Sequence, residues 1–296
     1  MSVRVLHVFR TYLPDSKGGT QEVIRQICRS TMPYGIESRV FAPSPRPVPR
    51  VVEIEGTEVH RVHLNLEIAS CGFSFTGIPE FRRQVSWADV VHYHYPWPFA
   101  DMLHYLGRVT KPTILTYHSD IVRQKNLMRL YTPLMERFLD DVDQIVCTSE
   151  NYRDSSPNLQ HRANEVAVIP IGLDPASYPA PCAAQINPVR EEFGEGFFLF
   201  VGMLRYYKGL HVLLDACQGQ DFPVVIAGKG PMEAELKQQA ARLGLTNVKF
   251  AGEVPDETKM ALLTLCRAVV FPSYERSEAF GVTLLEGQLY GRPAIT

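Results

Sequence analysis

Phe197-Phe198-Leu199-Phe200-Val201-Gly202-Met203-Leu204-Arg205-Tyr206-Tyr207-Lys208-Gly209 passes from an apolar aromatic run through a glycine to two cations. Phe197–Val201 reads as a buried strand, and the stretch that follows, Leu210–Cys217, reads as a helix. Arg205 and Lys208 then stand where a helix begins, a place the helix dipole disfavours for cations by up to ~1 kcal/mol each. A bound polyanion would resolve that conflict. Two solvated surface cations are the plainer alternative.

The same strand-to-helix grammar extends in both directions. Downstream, Val224–Ala227, Val248–Phe250 and Ala268–Phe271 read as strands, with helices at Met232–Leu243 and Ala279–Tyr290. Upstream, strands are expected at Val3–Phe9, Ser38–Phe41, Glu58–Val62, Asp89–Tyr93, Thr113–Tyr117, Gln144–Cys147 and Val166–Ile169. Helices are expected at Gln21–Met32, Phe99–Gly107, Leu127–Asp140 and Glu150–Leu159. Short apolar strands alternating with helices indicate α/β layers with parallel sheets covered on both faces. The alternation breaks between Pro170 and Glu195, where five prolines and no period suggest a linker. The expected organisation is two Rossmann-like domains around a cleft: 1–172, a linker at 173–195, and 196–296. The last strand, Pro293–Thr296, has only begun at the final residue, so the second domain reads as incomplete.

Bulk properties narrow the function. A net charge of -2 argues against a nucleic-acid partner bound through phosphate neutralisation. The six cysteines form no C-x-x-C pair, which favours free thiols and no zinc site. The longest apolar stretch, Phe197–Leu204, is far shorter than the ~20 residues that span a bilayer, and the N-terminus does not read as a signal peptide. A cytoplasmic protein is expected, with peripheral attachment to the inner membrane face left open.

Three further segments carry chemistry. Lys17-Gly18-Gly19-Thr20 precedes a helix; its glycines let backbone amides approach a phosphate, although an ordinary strand–helix turn would look the same. Ser277-Glu278-Ala279-Phe280-Gly281-Val282-Thr283-Leu284-Leu285-Glu286-Gly287 follows a strand and carries two carboxylates. Glu278 is expected in the loop and Glu286 two turns into a helix, both able to accept from sugar hydroxyls. Thr116-Tyr117-His118-Ser119-Asp120 ends a strand, where open α/β sheets bind ligands. His92-Tyr93-His94-Tyr95-Pro96-Trp97-Pro98 reads as cleft wall, an aromatic face for an acceptor sugar, since His92 and His94 flank a single residue. Ahead of an apolar stripe (Leu127, Leu130, Tyr131, Leu134, Phe138) expected to pack in the core lie Arg123, Lys125 and Arg129, cations suited to a lipid-linked diphosphate at a membrane.

Taken together, Gly18-Gly19, His118, Val201-Gly202 through Lys208-Gly209, and Glu278 through Glu286 resemble the retaining GT-B glycosyltransferases of the group 1, family 4 type. The closest likeness is to bacterial mannosyltransferase-like enzymes of O-antigen and exopolysaccharide assembly. Val168-Ile169-Pro170-Ile171-Gly172-Leu173-Asp174 and Ala227-Gly228-Lys229-Gly230-Pro231 add to it. The resemblance implies a hexosyltransferase using a nucleoside diphosphate sugar, with GDP-mannose or GDP-rhamnose favoured, no metal and no other cofactor. It implies that Gly18 and Gly19 meet the donor diphosphate and that Arg205 and Lys208 neutralise it as it leaves. Glu278, with the amides of Phe280 and Gly281, would hold the donor sugar, Glu286 the ribose, and His118 the sugar near the reacting centre. The acceptor would be a glycan or a lipid-diphosphate-linked glycan. Many members carry arginine where this chain has Met203, which shifts weight from Arg205 to Lys208. Members also continue beyond the point matched by Thr296. The alternatives are an epimerase or phosphorylase on the same fold, or a non-catalytic nucleotide binder. A nicotinamide enzyme is disfavoured because no G-x-G-x-x-G occurs.

Overall fold

The computed structural model describes residues 2–68, 71–121, 125–275, 278 and 280–296. It divides into two units, Met1–Ile171 and Gly172–Thr296. The first contains β1 (Val3–Val8), α1 (Gly19–Thr31), β2 (Ile36–Ser44), β3 (Val51–Ile54), β4 (Thr57–His63), β5 (Leu66–Ile68), β6 (Cys71–Phe73), α2 (Ile78–Trp87), β7 (Val90–Tyr95), α3 (Pro98–Gly107), β8 (Thr113–Tyr117), α4 (Lys125–Asp141), β9 (Gln144–Cys147), α5 (Glu150–Ser155) and β10 (Val166–Val168). Among the described residues, eight of these strands form one sheet in the order β10-β9-β8-β7-β1-β2-β4-β3. All its pairs are parallel except β3 with β4.

Two local expectations fail for identifiable reasons. β3 was not anticipated; it pairs with β4 through Glu55-Gly56, whose φ values of 48° and 80° suit a tight hairpin turn. The helix expected over Glu150–Leu159 stops at Ser155. Pro157 follows Ser156, and the residue before a proline is pushed out of the helical region; Ser156 has ψ 126°.

The second unit contains α6 (Ala183–Phe193), β11 (Phe198–Val201), α7 (Leu210–Ala216), β12 (Val224–Ala227), α8 (Glu233–Arg242), β13 (Val248–Gly252), α9 (Asp256–Leu265), β14 (Ala268–Val270), α10 (Val282–Leu289) and β15 (Ala294–Ile295). Its five described strands are all parallel, in the order β13-β12-β11-β14-β15. Alternate residues separate the two faces. Leu199, Val225 and Val269 pack with residues of α6 and α9, while Phe200, Val224, Ile226 and Val270 pack with residues of α7 and α8.

The stretch read as linker holds helix α6. It starts at Cys182, whose N–H donates to Gln185 Oε1 (2.8 Å). Pro188 inside a helix costs about 3 kcal/mol. Burial of Val189 and Phe193 in the second core offsets it, at roughly 1.5–3 kcal/mol each. A sequence pattern broken by proline hid that packing.

Close backbone contact joins the loops that follow β11 and β12. Gly228 has φ +139°, and a Cβ built on it would lie 1.9 Å from the carbonyl oxygen of Gly202. Gly228→Ala is therefore expected to destabilise this unit by about 1–3 kcal/mol, through forced backbone displacement. Urea unfolding followed by far-ultraviolet circular dichroism reads the shift; an unchanged midpoint would contradict this packing.

The first unit has a polar core of its own. His7, His92 and His94 are 1%, 8% and 1% exposed, and His118 is half-buried beside them. Burial lowers the pKa of all four, that of His92 to about 4 and that of His118 to about 3. The folded unit therefore holds them neutral, whereas the unfolded chain binds protons from about pH 6.5 downward. Stability should fall as pH drops from 6.5 towards 4, by up to about 1.4 kcal/mol per pH unit for each of the three buried rings. Both tryptophans, Trp87 and Trp97, lie in this unit. Tryptophan fluorescence in urea should show a lower midpoint at pH 5.5 than at pH 7.5, and equal midpoints would refute the assignment.

Candidate functional site

In each sheet the chain reverses its direction of strand addition beside the first strand, and ligands of open α/β sheets bind at the carboxyl ends of such strands. In the second unit that point lies between β11 and β14. The loops leaving them are the two motif segments, Gly202–Gly209 and Pro272–Gly281. They are fastened to each other. Ser273 Oγ donates to the Tyr207 carbonyl (2.8 Å), and Thr283 Oγ1 donates to the Val201 carbonyl (3.2 Å). Gly209, at φ +69°, is so close to Pro272 that a Cβ would lie 1.9 Å from its carbonyl oxygen.

Lys208 and Glu278 meet across this junction as an ion pair, with side chains 11% and 18% exposed. Lys208 Nζ also lies 4.5 Å from the centroid of the Phe271 ring, which attracts the ammonium further. The cation and the carboxylate are thus partly desolvated and held ready at one point. Arg205 does not join the pair among the described contacts; its Nε lies 2.9 Å from Met203 Sδ. Met203, which stands where the resemblance leads us to expect an arginine, therefore engages Arg205, the arginine that appears two residues later.

Glu286 sits deeper, at 5% exposure. Its Oε1 accepts from Lys259 Nζ (2.8 Å) and from the Tyr178 hydroxyl (3.1 Å). Neither partner was anticipated, because Lys259 comes from α9 and Tyr178 precedes α6, with no sequence spacing to link them to α10. The helix carrying Glu286 begins at Val282 rather than Ala279, so the carboxylate lies little more than one turn in. Gly281 explains the late start: its φ of +83° is not helical, and it caps α10 instead. Phe280 immediately precedes it.

In the first unit, Gly18 is extended and caps α1, and Gly19 is the first helical residue, so the leading amides of α1 have no intrahelical acceptor. The loop before them is anchored by Asp15, which accepts two bonds from Arg61 (2.7 and 2.9 Å). Arg61 also donates to Ser44 Oγ and to the carbonyls of Arg46 and Pro49. This buried arginine positions the glycine loop and was not singled out from the sequence.

His118 leaves the end of β8, its N–H donating to the Tyr95 carbonyl (3.0 Å). Two residues on, Asp120 Oδ1 accepts from Tyr117 (2.9 Å) and Ser156 (2.7 Å), which pins the turn. His7 and His92 are cross-strand partners, and His94 pairs in register with Thr116. The two-residue period then places all four imidazoles on one face of the sheet, with His92 and His94 stacked at 4.4 Å and His94 and His118 at 5.3 Å. Ligand atoms of His7, His92 and His94 lie within 4.8 Å of one another. The single intervening residue thus aligns His92 and His94. Nor do they form an exposed aromatic face: Tyr93, Tyr95 and Trp97 are buried too, because β7 is central in a sheet covered on both sides.

Of the three cations assigned to the acceptor, Arg123 lies outside the described residues and Lys125 and Arg129 belong to α4, where Arg129 is exposed next to Leu130, which is 83% exposed. Leu130 therefore departs from the expected core stripe, whereas Phe138 is fully buried. Among the described residues no helix is long and apolar enough to cross a membrane.

The chain resembles known proteins in sequence and in fold. Residues 17–177 match the profile of Glycosyltransferase Family 4, and residues 184–296 that of Glycosyl transferases group 1. The chain is 52% identical to D-rhamnosyltransferase WbpZ of Pseudomonas aeruginosa, over 99% of this chain and 77% of that protein. It is 48% identical to O-antigen chain mannosyltransferase C of Escherichia coli, over 99% of this chain and 79% of the relative. Its fold is similar to that of sucrose-phosphate synthase from Thermosynechococcus elongatus (TM-score 0.76, 18% identity, 99% of this chain and 80% of that one). It is also similar to Anabaena HepE solved with UDP and glucose (TM-score 0.75, 20% identity, 99% and 80%). With the family profiles matched across both units and two relatives near half identity, this α/β chain belongs to the group 1, family 4 glycosyltransferases of the GT-B fold.

Proposed function

We propose that this glycosyltransferase moves a hexose, mannose or D-rhamnose, from a GDP-sugar to a growing O-antigen glycan carried on a lipid diphosphate, with retention of configuration and without a metal. The observation that carries the reading is the Lys208–Glu278 pair at the strand junction of the second unit. The names of the two most similar relatives above support the sugar and the glycan.

In this reading Lys208, assisted by Arg205, takes the negative charge that grows on the departing diphosphate. Preorganised charge of this kind is worth most in a partly dehydrated setting. Glu278, released from Lys208 by the phosphate, accepts from hydroxyls of the donor sugar, together with the amides of Phe280 and Gly281. Glu286 holds the ribose, and the ion pair with Lys259 and the Tyr178 hydroxyl fix its carboxylate. In the first unit, the amides at Gly18 and Gly19 serve the diphosphate and His118 the sugar. Arg123, Lys125 and Arg129 are the cations assigned to the membrane surface that holds the acceptor, and of these Arg129 is exposed next to the exposed Leu130.

Lys208→Ala is expected to lower kcat by about a hundredfold or more, the scale for removal of one charge-stabilising donor, and Glu278→Ala to abolish detectable transfer. Radiolabelled sugar transfer to a lipid-linked acceptor measures both; wild-type turnover in either variant removes that residue from the reaction. Calorimetry with chelator present should show GDP binding more tightly than UDP or ADP; preference for another nucleotide would replace the donor assignment. Replacing Arg123, Lys125 and Arg129 with alanine should weaken binding to anionic vesicles, each cation contributing about 1 kcal/mol near the surface. Undiminished co-sedimentation would place membrane contact elsewhere.

A further inference from the structure

His7 and His94, which the roles above leave unused, form a row of imidazoles with His118. His7 Nδ1 lies 3.1 Å from His94 Nε2, and His94 Nδ1 lies 3.0 Å from His118 Nε2. The rings therefore follow one another head to tail. A neutral imidazole carries one N–H and one bare nitrogen. With both contacts made as hydrogen bonds, the row has only two arrangements: every proton on Nδ1, or every proton on Nε2. One ring cannot change without the others.

The closed end of the row chooses between them. His7 Nε2 is buried and meets no hydrogen-bond partner among the described residues. Protons on Nε2 would leave a buried N–H without an acceptor there. Protons on Nδ1 leave only a bare acceptor, and orphaned buried N–H groups are the rarer case in folded proteins. The open end agrees: His118 is half-buried just past the carboxyl end of β8, where solvent or a ligand can reach its ring. His92 stacks on His94 and bonds to Thr116 Oγ1 (2.7 Å), adding a further neutral ring that keeps charge out of the row.

We infer that His94, closed off by His7, holds His118 in the tautomer with its proton on Nδ1, so that His118 presents a hydrogen-bond donor to its ligand and cannot act there as a base. His94 is thus a positioning residue acting through His118. The ligand atom must be an acceptor oxygen, such as that of a sugar hydroxyl. The assignment of that oxygen to the donor sugar rests on the functional reading above; the tautomer itself does not.

A metal ion offers the competing use of these rings. It would take one nitrogen from each of His7, His92 and His94, and since both nitrogens of His94 are engaged in the row, it would break one of those two contacts. One experiment separates the possibilities. In the full chain with 15N-labelled histidine, long-range nitrogen–proton spectra report which ring nitrogen carries the proton. His7→Leu, His94→Leu and His118→Ala assign the signals. The expected result is protonated Nδ1 on His7, His94 and His118. Protonated Nε2 on His118 would overturn the inference. So would stoichiometric zinc retained against chelator by the wild type and lost in His7→Leu.

The second arm reads the consequence. In His94→Leu the restraint on His118 is gone, and signals of both tautomers should appear. The dissociation constant for GDP-mannose should rise about two- to tenfold, the value of one ordinary hydrogen bond, with that for GDP unchanged. An unaltered His118 tautomer in this variant would overturn the role of His94. If His118→Ala leaves sugar-nucleotide binding untouched while the wild-type spectrum shows protonated Nδ1, the contact with the sugar fails and the tautomer stands. If tryptophan fluorescence shows that His94→Leu has not folded, the wild-type spectrum decides alone.

Discussion

A parallel sheet covered by helices on both faces offers its polar side chains no solvent along the strands, and this constraint organises the whole molecule. Functional groups collect instead at the carboxyl ends of strands, where loops emerge and backbone amides are free. In the second unit this brings the loops after β11 and β14 together and puts Lys208 beside Glu278. In the first it puts the glycine turn after β1 and His118 after β8 at ends of the same sheet.

Where polar groups do enter the sheets, they are matched to one another. The four histidines share a face because parallel register aligns His7 with His92 and His94 with Thr116. Buried as neutral rings, they satisfy most of their hydrogen-bonding capacity internally and lose it on protonation. Arg61 follows the same logic with charge: Asp15 neutralises it, and three oxygens occupy its remaining donors. A lone buried guanidinium would cost several kcal/mol; this one ties the glycine loop to β2 and β4.

The pair at the strand junction has a different character. Lys208 and Glu278 keep some exposure and belong to loops rather than to the sheet. Each neutralises the other in this arrangement, and in the proposed reaction the cation would turn to phosphate and the carboxylate to sugar hydroxyls. Close packing of Gly209 against Pro272 fixes the distance between their loops. The geometry of the pair therefore depends on a backbone contact that only glycine permits.

Local pattern was enough to read the α/β alternation, the glycine turn at Gly18-Gly19, the cations at Arg205 and Lys208, and the carboxylates at Glu278 and Glu286. Each depends on residue type and near-neighbour spacing, which the chain displays directly. Helix α6 escaped that reading, because its Val189 and Phe193 gain their stability from a core supplied by distant strands while Pro188 breaks the local signal. The start of α10 escaped it because a positive φ at Gly281 is a backbone state, not a composition. The partners of Glu286, the anchoring of Asp15 by Arg61, and the contacts of His94 with His7 and His118 join residues from 24 to 108 positions apart. Amino-acid sequence alone determined which chemical groups this protein possesses and which local elements carry them. Tertiary structure decided which groups touch, since register and packing, not proximity along the chain, bring them within hydrogen-bonding distance.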